Sequence, residues 1–292
     1  MPSPEFLQRP GSIWEVYPYE GKSFPQIRAE MEDIAVKTCR PPRDVRWEEG
    51  ECGGVKGKWV YPAERRDGMI LYIHGGGFIL GSSGISLPFL TELAQVLHIA
   101  AFSVDYALAP EHPFPAPQND VLAAYQGLLD MGIPGEQIIL AGESAGATLC
   151  LTLAQMVREK HLFPPRAIVA MSPVTDCTVP GGEKILEALP DTAEAMALYA
   201  PGRDPADPLV SPIYGDLENF PPTLLIAGGA EPRRADSLRM AEALIQAGSE
   251  AELLVGKDMI HTYPLDFADY PEAAEAFSEI AAYIRIKLGL ED

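Results

Sequence analysis

The sequence predicts an α/β protein, a mostly parallel twisted sheet flanked by helices, and three observations predict it. From Gly68 onward, short continuous apolar runs alternate with longer segments of helical spacing. Those runs have no polar face, so each strand must be covered on both sides, as in a parallel sheet sandwiched between helices. One stretch, residues 173–222, breaks the rhythm with nine prolines and no good strand, and reads as an insertion over the carboxyl edge of the sheet.

The elements follow in order. After a polar start, residues 24–39 place Ile27, Met31, Ile34, Ala35 and Thr38 at helical spacing, and Pro41 and Pro42 end that helix. Residues 45–52 and 55–61 flank Gly53 and Gly54, which predicts an antiparallel hairpin. Parallel strands are expected at 69–73, 100–106, 138–141, 167–171, 223–227 and 251–255. Helices are expected at 87–98, 118–131, 145–161, 236–247 and 271–288, and within the proline-rich insertion residues 183–200 suit another. The chain reads as one domain over residues 1–292, with a helical cap from about residues 1–45 and 176–215.

Composition excludes several classes of function. Of 292 residues, 47% are hydrophobic and 22% charged, ordinary values for an enzyme-sized globular chain. Lysine plus arginine number 22 against 42 acidic residues, a formal net charge of −20, which makes nucleic acid and anionic membrane surfaces poor partners. The apolar runs are far too short to span a bilayer, and the amino terminus lacks the pattern of a secretory signal, so a cytoplasmic location is expected. Cys39, Cys52, Cys150 and Cys177 form no CxxC pair and read as reduced thiols. His74, His98, His112, His161 and His261 form no HxH or HExxH pair, so neither a metal nor another cofactor is expected.

The chemistry-bearing signal is Gly142-Glu143-Ser144-Ala145-Gly146, a GxSxG between an expected strand and an expected helix. A serine on such a turn needs small neighbours, because its backbone is strained and its hydroxyl must project into open space. The following helix points backbone amides at the reacting oxygen. The serine needs a base, and on a sheet of this kind the chain order is serine, acid, histidine. Only His161 and His261 follow Ser144. His161 lies seventeen residues along the helix that Ser144 begins, about 25 Å away, which leaves His261 in the loop after strand 251–255. The acid should follow strand 223–227. Glu231 sits in that loop and is the first choice; Asp236, which suits a helix cap, is the main competitor, and Asp207 a third. His74-Gly75-Gly76-Gly77-Phe78 follows strand 69–73, and consecutive glycines let amides approach an oxyanion. A phosphate-cradling loop is the rival reading, but the GK[ST] of a P-loop is absent.

Together these motifs resemble the hormone-sensitive-lipase-like family of α/β-hydrolases, the microbial family IV esterases. The resemblance covers about residues 60 to 288 and rests on HGGGF at 74–78, DYALAPEHPFPAP at 105–117, GESAG at 142–146, DPLVSP at 207–212 and the His261 loop. It implies an α/β-hydrolase fold with Ser144 as nucleophile, His261 as base and Glu231 as acid. It also implies an oxyanion hole from the amides of Gly76, Gly77 and Ala145. Relatives often pair through the last strand, here 251–255, which implies a homodimer. The chain departs from the family at four places: Glu143 stands for the usual aspartate, Ala147 for a second glycine, Ala107 for the arginine of DYRLAPE, and Ala230 where many members carry the acid.

The expected function is hydrolysis of a short- to medium-chain carboxylic ester, a small-molecule acyl substrate, through a Ser-His-Glu triad and an acyl-enzyme. Hydrolysis of amides, formamides or thioesters on the same machinery is the alternative. A non-catalytic small-molecule receptor is the reading from another class, and the surviving histidine loop argues against it.

Overall fold

A computed structural model of the chain describes residues 2–179 and 192–290. Its strands are β1 (Val45–Cys52), β2 (Val55–Pro62), β3 (Met69–Ile73), β4 (Ala100–Val104), β5 (Ile138–Glu143), β6 (Ala167–Met171), β7 (Thr223–Gly228) and β8 (Ala251–Gly256). The helices among the described residues are α1 (Pro4–Leu7), α2 (Ile13–Val16), α3 (Phe24–Thr38), α4 (Leu87–Leu97), α5 (Ala116–Asp130), α6 (Ala145–Glu159), α7 (Thr192–Tyr199), α8 (Arg234–Gln246) and α9 (Pro271–Leu288). The strands form one sheet in the order β1-β2-β4-β3-β5-β6-β7-β8. β1 and β2 are the expected hairpin, β2 runs antiparallel to β4, and every later pairing is parallel.

Alternation along β3 shows why both faces had to be apolar. Leu71 and Ile73 pack with α5, α6 and α3, whereas Ile70 and Tyr72 pack with α4 and α9. Each fully buried Leu or Ile contributes roughly 1.5–3 kcal/mol, so the central strands hold the two helical layers together. The carboxyl ends of β3, β5, β7 and β8 open on one edge, where the motif loops meet.

The structure differs from expectation in instructive places. β4 stops at Val104, short of the expected Tyr106, and the next residue's carboxylate, that of Asp105, accepts from the Ser83 amide and hydroxyl at 2.6 and 2.8 Å. α8 begins at Arg234, so Asp236 does not cap it. Asp236 lies inside the first turn, paired with Arg233 and Arg239. The polar amino-terminal stretch contains α1 and α2, the latter opened by a capping box of Ser12 and Glu15. Of the helix expected at 183–200, the structure has Thr192–Tyr199; the earlier part lies outside the described residues. No described helix is long and apolar enough to cross a membrane.

Candidate active site

Ser144 joins β5 to α6 with φ 52° and ψ −121°, a conformation that side chains other than glycine rarely hold. It is pinned from both sides: its amide donates to the Met171 carbonyl at 2.8 Å, and its carbonyl accepts from the Thr148 amide at 3.1 Å. The flanking glycines are a matter of space. A Cβ at Gly142 or Gly146 would lie 2.6 or 1.9 Å from the Ile73 carbonyl oxygen, so only bare backbone lets the turn sit against β3. Ala145 follows as the first residue of α6, where helical amides lack intrahelical acceptors.

His261, in the loop after β8, meets Glu231, in the loop after β7. Nδ1 lies 2.7 Å from Glu231 Oε2, and the Glu231 side chain has 0% exposure. Backbone bonds tie the two loops together, Gly229 to Gly256 at 2.7 Å and Ala230 to Met259 at 2.9 Å. A carboxylate on Nδ1 keeps the ring proton there, which leaves Nε2 as a base. Nε2 is buried and without a partner among the described residues, as is Glu231 Oε1.

The other candidates are occupied elsewhere. Asp236 is buried against Arg233 and Arg239 and accepts from the Thr175 amide; burial raises its carboxyl above the usual range despite both guanidinium groups. Asp207 pairs with Arg203 and accepts from the Leu209 amide at 2.9 Å. His161 is exposed beyond the far end of α6.

The HGGGF loop is held from behind. Glu143 Oε1 accepts the Gly75 amide at 2.7 Å, and burial pushes the Glu143 carboxyl up to about 7. His74 is buried, stacks on Tyr106 at 4.3 Å, and its carbonyl accepts from the Tyr106 hydroxyl at 2.9 Å. Burial lowers the pKa of its imidazole, which favours the neutral ring. At Gly76, φ is +116° and a Cβ would stand 2.2 Å from the Leu80 carbonyl oxygen, so the turn admits no side chain. Phe78 stacks on Tyr199 of α7 at 3.7 Å.

All six residues expected at the site, Ser144, Glu231, His261, Gly76, Gly77 and Ala145, line one cavity of about 360 Å³. Apolar side chains make most of its wall, among them Phe78, Ile79, Phe89, Val174, Met196 and Leu265. Ile13, Trp14 and Glu15 of α2 also line it and were not anticipated from the sequence. The signal that could have found them is the Ser12-x-x-Glu15 capping box, which encloses the apolar pair Ile13 and Trp14. Asp266 lines the wall as well; burial, with Asp269 and Glu15 nearby, pushes it up to about 6. Among the described residues no group of three or more His, Cys, Asp or Glu side chains is placed to hold a metal ion.

A family model described as alpha/beta hydrolase fold matches residues 70–265 of this chain. The chain therefore belongs to the alpha/beta hydrolase fold family. An acetyl-hydrolase of Streptomyces hygroscopicus is 34% identical over 256 residues, covering 85% of this chain and 84% of that protein. An esterase of Acinetobacter venetianus is 30% identical over 293 residues, 94% of this chain and 97% of the relative. The crystal structure of an esterase from the bacterial hormone-sensitive lipase family superposes with a TM-score of 0.84 at 31% identity, covering 94% of each chain. Within the family, the chain stands with the hormone-sensitive-lipase-like esterases.

Proposed function

We propose that this protein hydrolyses short- to medium-chain carboxylic esters with Ser144 as nucleophile, His261 as general base and Glu231 as its orienting acid. Esterase activity follows from the family; the residues and the acyl size are the proposal. One observation carries it: Glu231 holds His261 by Nδ1 at 2.7 Å, while unpartnered Nε2 belongs to a residue lining the same cavity as Ser144.

In this reading His261 Nε2 takes the Ser144 proton as Oγ attacks the ester carbonyl, and Glu231 stabilises the imidazolium. The amides of Gly76, Gly77 and Ala145 receive the negative charge that develops on the carbonyl oxygen. Gly75 contributes none, because its amide is committed to Glu143. The imidazolium then protonates the departing alcohol, and water repeats the sequence against the acyl-enzyme to release the acid. A cavity of about 360 Å³ with mostly apolar walls stands near the small end of ligand sites, roughly 300–1,000 Å³, which favours acyl chains of modest length.

The remaining parts of the proposal concern surroundings. Residues 1–45 and 176–215 act as a cap, since α2 and residues Ala195 and Met196 of α7 line the cavity. The edge strand β8 exposes Leu253 and Val255 at 40% and 39%, an apolar edge suited to pairing with a second copy; sedimentation that finds only monomer refutes it. The free cysteines, three of them buried, suit a reducing compartment such as the cytoplasm.

The test is turnover of 4-nitrophenyl esters from acetate to palmitate beside a 4-nitroanilide. Activity peaking at short or medium chains, and lost in Ser144→Ala and Glu231→Gln, supports the proposal. Turnover of the anilide alone moves it to amides, and an active Ser144→Ala protein removes it.

A further inference from the structure

The cavity brings Ser144 and His261 onto one wall, but does not show how the glycine loop keeps its amides in place. Three glycines in four residues give that loop little stiffness of its own, and transition-state binding tolerates only about half an ångström of error. We propose that Arg28 and Glu32, one helical turn apart on α3, are positioning residues that grip the backbone leaving the oxyanion glycines, at residues 78–79 and 82–84. This rests on the esterase reading of the site.

Residues four apart on a helix share a face, so both side chains reach the loop together. Arg28 takes the near end. Its Nε donates to the Ile79 carbonyl at 2.7 Å, its Nη2 donates to the Ala109 carbonyl, and its Nη1 pairs with Glu111 at 2.9 Å. Ala109 in turn donates its amide to the Phe78 carbonyl at 2.9 Å, so one guanidinium closes a ring around residues 78, 79 and 109. Glu32 takes the far end. It accepts from the Ser82 hydroxyl, from the Gly84 amide at 3.1 Å, and from Lys58. Lys58 is almost fully buried and also donates to the Ser83 hydroxyl at 3.1 Å, while Ser83 is held from the other side by Asp105.

Two fits show how tightly this is built. A Cβ at Gly84 would lie 2.1 Å from a Glu32 carboxylate oxygen, and one at Gly81 would lie 2.4 Å from His74 Nδ1. Neither Arg28 nor Glu32 lines the cavity. Their effect on the reaction therefore passes through the backbone of residues 78–84, which follows Gly76 and Gly77 directly and fixes where those two glycines can sit.

The experiment compares wild type with Arg28→Gln, Arg28→Lys and Glu32→Gln in the full chain, well below each melting temperature. Active sites are first titrated with a fluorophosphonate. Expected is a kcat per titrated site reduced about 10- to 100-fold in Arg28→Gln and Glu32→Gln, less than one lost oxyanion donor at about 10²–10³, with KM changed less than about threefold. A trifluoromethyl ketone, whose adduct carries the oxyanion, should weaken by the same factor while the methyl ketone does not. Arg28→Lys should recover part of the loss. Hydrogen exchange at residues 76–80 should quicken while β3 and β5 stay protected. Unchanged kcat per titrated site overturns the proposal, as does a loss explained wholly by fewer titratable sites. If wild type turns over no ester the esterase reading fails instead, and the exchange measurement alone decides whether α3 holds the loop.

Discussion

The two flanks of Ser144 are made of different material. On one side His261 and Glu231, two side chains on neighbouring loops, meet in a single 2.7 Å contact. On the other the HGGGF loop offers backbone, and its side-chain support comes from behind, from Glu143, His74 with Tyr106, and α3. The difference teaches where substitutions act. In the proposed mechanism the identity of a side chain is the chemistry on the proton-transfer flank, so a substitution there should remove function and leave the fold. On the proposed charge-binding flank the groups that would act are amides common to every residue, so a substitution should act through geometry, often from a distance.

The largest effects test the first flank. Ser144→Ala and His261→Ala should each lower kcat by about 10⁵–10⁶-fold with an unchanged thermal melt; a melt that collapses with activity would erase the contrast. Glu231→Gln should cost about 10⁴-fold, because an amide cannot hold the imidazole tautomer or its charge. Asp236→Asn, five residues on, sharpens this result. It should leave kcat within about threefold yet destabilise the protein by roughly 3 kcal/mol, since Arg233 is then left buried beside a neutral partner. Denaturant melts with parallel kinetics separate the two. On the second flank, Gly76→Ala should lower kcat about 10²–10³-fold by displacing an oxyanion donor, its Cβ meeting the Leu80 carbonyl.

The smallest effect is a matter of pH. Glu143 is held near 7 by burial, far above its free value of 4.5. Between those values the folded state keeps a proton that the unfolded chain releases, so stability falls as pH rises and the full loss is present above 7. Glu143→Gln keeps an acceptor for Gly75 without the charge. It should gain on wild type by about 3 kcal/mol at most between pH 4.5 and 7.5, and parallel stability curves for the two proteins would contradict this.

The first flank was largely legible in the sequence and the second only in part. GESAG, HGGGF and His261 announce themselves because tight turns and close backbone approaches make local demands on residue type. Choosing between Glu231 and Asp236 was not a local matter: both follow β7, and only the packing of Arg233 and Arg239 shows that Asp236 is already paired. Glu143 reads as a harmless replacement for aspartate, yet it accepts the amide of Gly75 across 68 positions. Arg28 and Glu32 lie beside the apolar stripe of an amphipathic helix, and periodicity takes such residues for solvated ones. Their partners stand between 26 and 83 positions away, beyond any local pattern.

The order of strands in the sheet has a consequence for how the protein matures. The HGGGF loop follows β3 at its centre, Ser144 follows β5, and Glu231 and His261 follow β7 and β8 at one edge. Each parallel pairing waits on a crossover, and contacts distant in sequence form slowly. During refolding, helical signal should therefore return before ester turnover, which needs the outermost strand in place. Catalysis in this chain is a gauge of completed assembly, and a fluorophosphonate pulse at successive times would read it molecule by molecule.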